Sequence, residues 1–117
     1  MPIAGAHTIV FAEDADAARA FFRDMLEFPH VDAGDGWLIF ALPPGELAVH
    51  PAPGSGEHEL YLMCPDIEAT MDELELKGVE FVAPLTDAGW GLLTRLNVPG
   101  AGDIGLYQPK HPSPLDM

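Results

Sequence analysis

A histidine and a glutamate, His7 and Glu59, hold equivalent places in two stretches of this sequence. "AHTIVFAEDADAARAFFRDMLEF" and "HELYLMCPDIEATMDELELKGVEFV" superimpose with a shift of 52 and no gap. His7 precedes Asp14 by seven positions, and Glu59 precedes Asp66 by seven. An imidazole facing a carboxylate can act as a general base on a carbon acid or a hydroxyl, the carboxylate raising the imidazole pKa. The same pair can be purely structural, a histidine at a strand start satisfied by a carboxylate. Other reactive groups are scarce. Cys64 is the only cysteine, so no intrachain disulfide can form. The chain carries no Ser-His-Asp order, phosphate-binding glycine loop or paired-cysteine metal motif.

Both residues open runs with β character. "HTIVFA" is rich in β-branched and aromatic residues and suits a buried strand. A helix follows, with Asp14 placed to cap it and Ala17, Ala18, Phe21, Phe22, Met25 and Leu26 at the three-and-four spacing of one apolar face, up to Pro29. "PHVDA", "GWLIFAL" and "ELAVHP" then read as three short strands, separated by "GDG" and "PPG". After the loop "APGSGEH" the order begins again with the strand "ELYLMC". Asp66 caps a second helix whose inner face takes Ile67, Thr70, Met71, Leu74 and Leu76, with Gly78 as its stop. Strands around "VEFVA", "WGLLTRLNV" and "DIGLYQP" follow, and residues 110–117, "KHPSPLDM", are expected to be irregular.

The 117 residues are about one ordinary domain's worth. The expectation is a single domain, 1–117, of two βαβββ modules at about 6–51 and about 58–109. Nineteen acidic residues against five basic ones give a formal net charge of −14, which repels phosphate backbones and anionic head groups and excludes nucleic acid and membrane surfaces as partners. The acidic field either concentrates a cationic ligand or simply keeps the surface soluble. No apolar run approaches the ~20 residues of a membrane span, and "MPIAGAH" lacks the basic and apolar regions of a signal peptide, so a cytoplasmic protein is expected.

Two tandem βαβββ units resemble the vicinal oxygen chelate superfamily, which contains glyoxalase I, extradiol dioxygenases, fosfomycin-resistance proteins and bleomycin-resistance proteins. The resemblance runs from His7 to about Pro112. It is carried by "HTIVFAEDADAARAFF", by "ELYLMCPDIEATMDEL" and by the close "VPGAGDIGLYQPKHP", which is similar to that superfamily's turn, last strand and ending. It implies an α+β fold in which the two modules curl into an open eight-stranded cup around a ligand, and it implies a homodimer. Duplication then has a reason, because one unit alone leaves the cavity open. A ferredoxin-like β-α-β-β-α-β arrangement would need one strand fewer before the second helix than this sequence supplies.

The resemblance also implies up to four metal ligands, on the first and last strand of each unit. Matched residue by residue these fall on His7, Glu59, Leu47 and Gly105, and the last two offer no donor atom. No metal is therefore favoured, with His7 and Glu59 the ligands of any Fe, Mn, Ni or Zn. His50 and Gln108 sit at odd offsets from the matched positions and should face away from the cup. By the same alternation Ile9, Phe11, Val49, Tyr61, Met63 and Tyr107 face the cup, while Val10, Leu62 and Leu106 pack under the helices. Trp37 and Trp90 begin corresponding strands, each either a wall that stacks on a flat ligand or a core filler. Arg95 either clamps an anionic group or makes a surface ion pair, and Cys64 should be a buried, inert thiol. The favoured function is a metal-free protein that sequesters an apolar, aromatic or cationic small molecule, as bleomycin-resistance proteins do. The alternative is a superfamily enzyme, a lyase, isomerase or dioxygenase, with a remodelled metal site or a His7/Glu59 acid–base pair.

Overall fold

Asp14 and Asp66 each cap a helix, as the repeat predicts. In the computed structural model, which describes residues 7–46, 48, 50–51, 53–54 and 58–112, Asp14 Oδ1 accepts from the Ala17 amide at 3.0 Å and Asp66 Oδ1 from the Ala69 amide at 3.2 Å. These bonds satisfy amides that have no partner within the helix. Helix α1 covers Ala15–Ala20 and widens into a π-helical turn over Phe21–Met25, which lets the consecutive side chains Phe21 and Phe22 both be buried. Helix α2 covers Ile67–Leu76. It ends in a Schellman arrangement around Gly78, whose amide reaches Glu75 O while the Val79 amide reaches Leu74 O at 3.1 Å. Leu76, expected on the inner face of α2, is 91% exposed. It lies two positions past the inward Leu74, about 200° around the helix, so it points to solvent.

Six strands form among the described residues, against the eight expected. β1 (His30–Asp32) and β2 (Leu38–Phe40) make an antiparallel pair, with His30 opposite Phe40 and Asp32 opposite Leu38. β3 (Tyr61–Met63), β4 (Thr86–Asp87), β5 (Gly91–Asn97) and β6 (Asp103–Pro109) form a second sheet in the order β3-β6-β5-β4. β3 runs parallel to β6, and the other pairs are antiparallel. The "VEFVA" stretch adds one isolated bridge, Phe81 to Leu96. "HTIVFA" joins neither sheet, and its Ile9 and Phe11 are exposed. "ELAVHP" falls partly outside the described residues. No described helix is long and apolar enough to cross a membrane.

The core lies on one face of the second sheet. Leu96, Val98, Ile104, Leu106 and Cys64 are buried there with Ile67 of α2, and Phe21 and Phe22 of the first unit enter the same cluster. Gln108 faces this side, as alternation predicts. Its Oε1 accepts from the Ile67 amide at 3.0 Å, which ties the start of α2 to β6.

Candidate functional site

Alternation along β5 and β6 puts a second set of residues on the opposite face of that sheet. The register pairs Leu93 with Tyr107, Arg95 with Gly105 and Asn97 with Asp103, and β3 lays Tyr61 beside Gly105 and Met63 beside Tyr107. Directly paired residues share a face. Tyr61, Met63, Leu93, Arg95, Gly105 and Tyr107 therefore lie together, while Leu62, Leu96 and Leu106 lie on the helix side. Trp90, just ahead of β5, turns its indole onto the same face.

The three large rings meet edge to face. Centroids are 6.0 Å apart for Tyr61 and Trp90, 5.7 Å for Tyr61 and Tyr107, and 5.3 Å for Trp90 and Tyr107. Such pairs are worth about 0.5–1.5 kcal/mol beyond their area burial. Two glycines floor the cluster. A Cβ at Gly105 would stand 2.1 Å from Tyr61 Cδ1, and one at Gly91 would stand 3.0 Å from Tyr107 Cδ2 and 2.9 Å from Gln108 O. Gly105, which has no side chain, thus gives the Tyr61 ring a flat seat.

Three residues that sequence reasoning did not place here complete the cluster. His50 stands edge-on to Trp90 at 5.6 Å. Parity had turned His50 away from this side, but residue 50 belongs to no strand, so alternation does not govern it. Glu46 accepts a short hydrogen bond from the Tyr107 hydroxyl. His111, from the segment after β6, stacks on Tyr107 at 6.0 Å and 29°, with Nε2 3.5 Å from Glu46 Oε1. Neither Glu46 in "PPGEL" nor His111 in "PKHP" carries a local signal of this placement.

Burial first, and then the Glu46 carboxylate, push the Tyr107 phenol from its ordinary 10.0 up to about 12. Tyr61 is raised too, by burial and the Glu59 charge, with Arg95 opposing. A phenol whose folded value exceeds its unfolded one contributes stability that is fully present below the unfolded value and is lost as pH climbs through the folded one. For Tyr107 the window runs from 10.0 to about 12. The melting temperature should fall across it, and Tyr107→Phe should make that fall shallower. Parallel slopes for parent and variant would show that Tyr107 is not held this way.

Beyond the rings, Arg95 lies 5.7 Å from the Tyr61 centroid. It pairs with Asp103 through Nε and with Glu59 Oε2 through Nη1 at 3.4 Å. Burial works against its charge, but the Asp103 hydrogen bond together with the charges of Asp103, Tyr61 and Glu59 outweighs it and raises the Arg95 pKa. His7 is exposed and makes no contact with Glu59. Trp37 is also apart from the cluster. It is 64% exposed, with the Arg19 guanidinium 4.8 Å from its ring. Phe11, 87% exposed, borders an open cavity of about 420 Å³ against Glu13 and the turn 97–102. Val49 and Leu47 lie outside the described residues. Cys64 is buried on the helix side, donating to Tyr107 O at 3.5 Å, and burial pushes its thiol pKa up, away from reactivity.

The sequence model of the Glyoxalase/Bleomycin resistance protein/Dioxygenase superfamily matches residues 5–99. The chain belongs to this superfamily. No curated protein matches the sequence significantly. Among solved structures, the fold is similar to TnmS3, an antibiotic binding protein from a Streptomyces species, with 21% identity, 94% of this chain and 99% of that one covered, and a TM-score of 0.62. It is similar to a lactoylglutathione lyase from Agrobacterium tumefaciens, with 15% identity, coverage of 92% and 96%, and a TM-score of 0.59. A superfamily member from Sphaerobacter thermophilus gives 19% identity, coverage of 92% and 99%, and a TM-score of 0.60.

The superfamily's metal chemistry meets an unsuitable donor set here. Glu59 is engaged by Arg95, Gly105 lies beneath the Tyr61 ring, and His7 stands apart from both. Among the described residues no three His, Cys, Asp or Glu side chains converge as metal ligands. A catalytic divalent ion usually needs about three protein ligands, and these residues do not fit one.

Proposed function

We propose that this chain is a metal-free, cytoplasmic binding protein of the glyoxalase/bleomycin resistance/dioxygenase superfamily. It sequesters an apolar, aromatic or cationic small molecule on the sheet face formed by Tyr61, Trp90 and Tyr107. The observation that carries the reading is the three-ring cluster over Gly91 and Gly105. A few convergent polar groups beside aromatic walls are the usual make-up of a small-molecule site. The similar fold of an antibiotic binding protein points the same way. The catalytic alternative draws on the similarity to the lyase, but its His7/Glu59 pair is not in contact.

The protein is also proposed to act as a homodimer. Val31 and Ile39, paired across β1 and β2, are among the exposed apolar residues that a second copy could cover.

The chain has two tryptophans, so a Trp37→Phe variant reports on Trp90 alone. A planar aromatic dye of the acridine class should quench that signal saturably and raise the melting temperature. Tyr61→Ala and Tyr107→Ala should each weaken the dye by about threefold to tenfold, the loss of one ring contact of about 0.5–1.5 kcal/mol. The same preparation should scatter light as a dimer and contain under about a tenth of an equivalent of Fe, Mn, Ni or Zn. Unchanged affinity in both tyrosine variants would move the site elsewhere, and close to one equivalent of metal would favour the enzyme.

A further inference from the structure

The segment Lys110–Pro112 runs past the aromatic cluster and is tied to the sheet at Lys110. The Lys110 amide donates to Trp90 O at 2.9 Å, Lys110 Nζ pairs with Asp87, and His111 Nδ1 lies 2.7 Å from Pro112 O. Beyond the Lys110 ties the His111 ring stacks on Tyr107, its Nε2 3.4 Å from the phenol oxygen and 3.5 Å from Glu46 Oε1. Glu46 is the deep end of the arrangement, its side chain only 14% exposed.

Donor accounting shows what kind of ring this place suits. The Tyr107 hydroxyl has one proton, which goes to Glu46, so towards His111 it can only accept. The Glu46 carboxylate can also only accept. The Nε2 edge of His111 therefore faces two acceptors, the Tyr107 oxygen and Glu46 Oε1, and a planar ring with an N–H donor there satisfies them. A carboxylate beside an aromatic face attracts a planar ligand that carries positive charge.

We propose that His111 is an internal stand-in for the ligand. The site takes planar N-heteroaromatic cations that stack on Tyr107 and donate to Glu46, and Lys110–Pro112 is a strap that must lift to admit them. This rests on the binding function proposed above and names the ligand class of the same site. The strap and the ligand compete for one place, so the apparent affinity equals the intrinsic one multiplied by the fraction of molecules with the strap open.

The test is calorimetric titration with 4-aminoquinoline, a planar cation with N–H donors at neutral pH, and with 1-naphthylamine, its neutral isostere. The parent should prefer the aminoquinoline, and Glu46→Gln should abolish that preference. His111→Ala should bind aminoquinoline about tenfold more tightly than the parent, the factor expected for a strap closed about nine-tenths of the time. Circular dichroism of each variant checks that the fold is kept. Equal or weaker binding in His111→Ala would show that the histidine is part of the wall, and a preference that survives Glu46→Gln would show that the carboxylate is not the counter-ion. Either result overturns this inference while leaving the binding function standing, provided the flat probes still bind. If neither probe nor the acridine dye binds parent or variant, the binding function falls and this inference falls with it.

Discussion

Phe21→Ala should destabilise the protein by about 3–5 kcal/mol, the usual cost of emptying a buried aromatic site, and the loss should register in the half of the chain that Phe21 does not belong to. Phe21 is only 4% exposed and lies in one buried cluster with Ile67, Leu96, Val98 and Ile104 of the second unit. The backbone makes a parallel connection, with the Asp14 amide donating to Gly100 O at 3.1 Å, from the cap of α1 to the turn before β6. Unfolding followed through Trp90, in a Trp37→Phe background, should therefore shift to lower denaturant with Phe21→Ala. If the Trp90 transition stays where it was, the two units have separate cores and α1 stabilises only its own.

How much of this was legible in the sequence depends on whether the cause was local. The caps Asp14 and Asp66 and the stop at Gly78 were readable because each acts within one helical turn. The inward and outward faces of β5 and β6 were readable because a ladder enforces a period of two. Leu62 and Leu106 on one side, with Tyr61 and Tyr107 on the other, follow from that rule once the family resemblance fixes one position in each strand. Where no ladder forms the rule has nothing to act on, and His50 escaped it for that reason. Trp37 and Trp90 occupy corresponding places in the repeat but not in space, since one meets Arg19 and the other meets two tyrosines. Glu46 and His111 are 65 positions apart, and only the fold brings them to the same phenol. Net charge left open whether the acidic field draws a cationic ligand or only keeps the surface soluble, and the side chains that would decide it come from segments outside the strands.

The glycine at position 105 allows a sharper test than any ring truncation. In a strand, alanine in place of glycine is ordinarily favourable by roughly 0.5–1 kcal/mol, because glycine loses more backbone freedom on folding. Here the added Cβ would stand 2.1 Å from Tyr61 Cδ1 and 2.2 Å from Cε1, far inside contact distance. Overpacking of this kind costs about 1–3 kcal/mol, so the clash wins and Gly105→Ala should destabilise the parent. With Tyr61→Ala the obstacle is gone, and Gly105→Ala should become neutral or mildly stabilising. The double-mutant cycle should give a coupling energy of about 2 kcal/mol between the two sites. If the two effects simply add, within about 0.5 kcal/mol, the ring does not rest on Gly105. A measured coupling also bears on the superfamily's metal chemistry, because any carboxylate introduced at position 105 must first displace Tyr61. At this position an aromatic platform and a fourth metal ligand are mutually exclusive, and this sequence carries the platform.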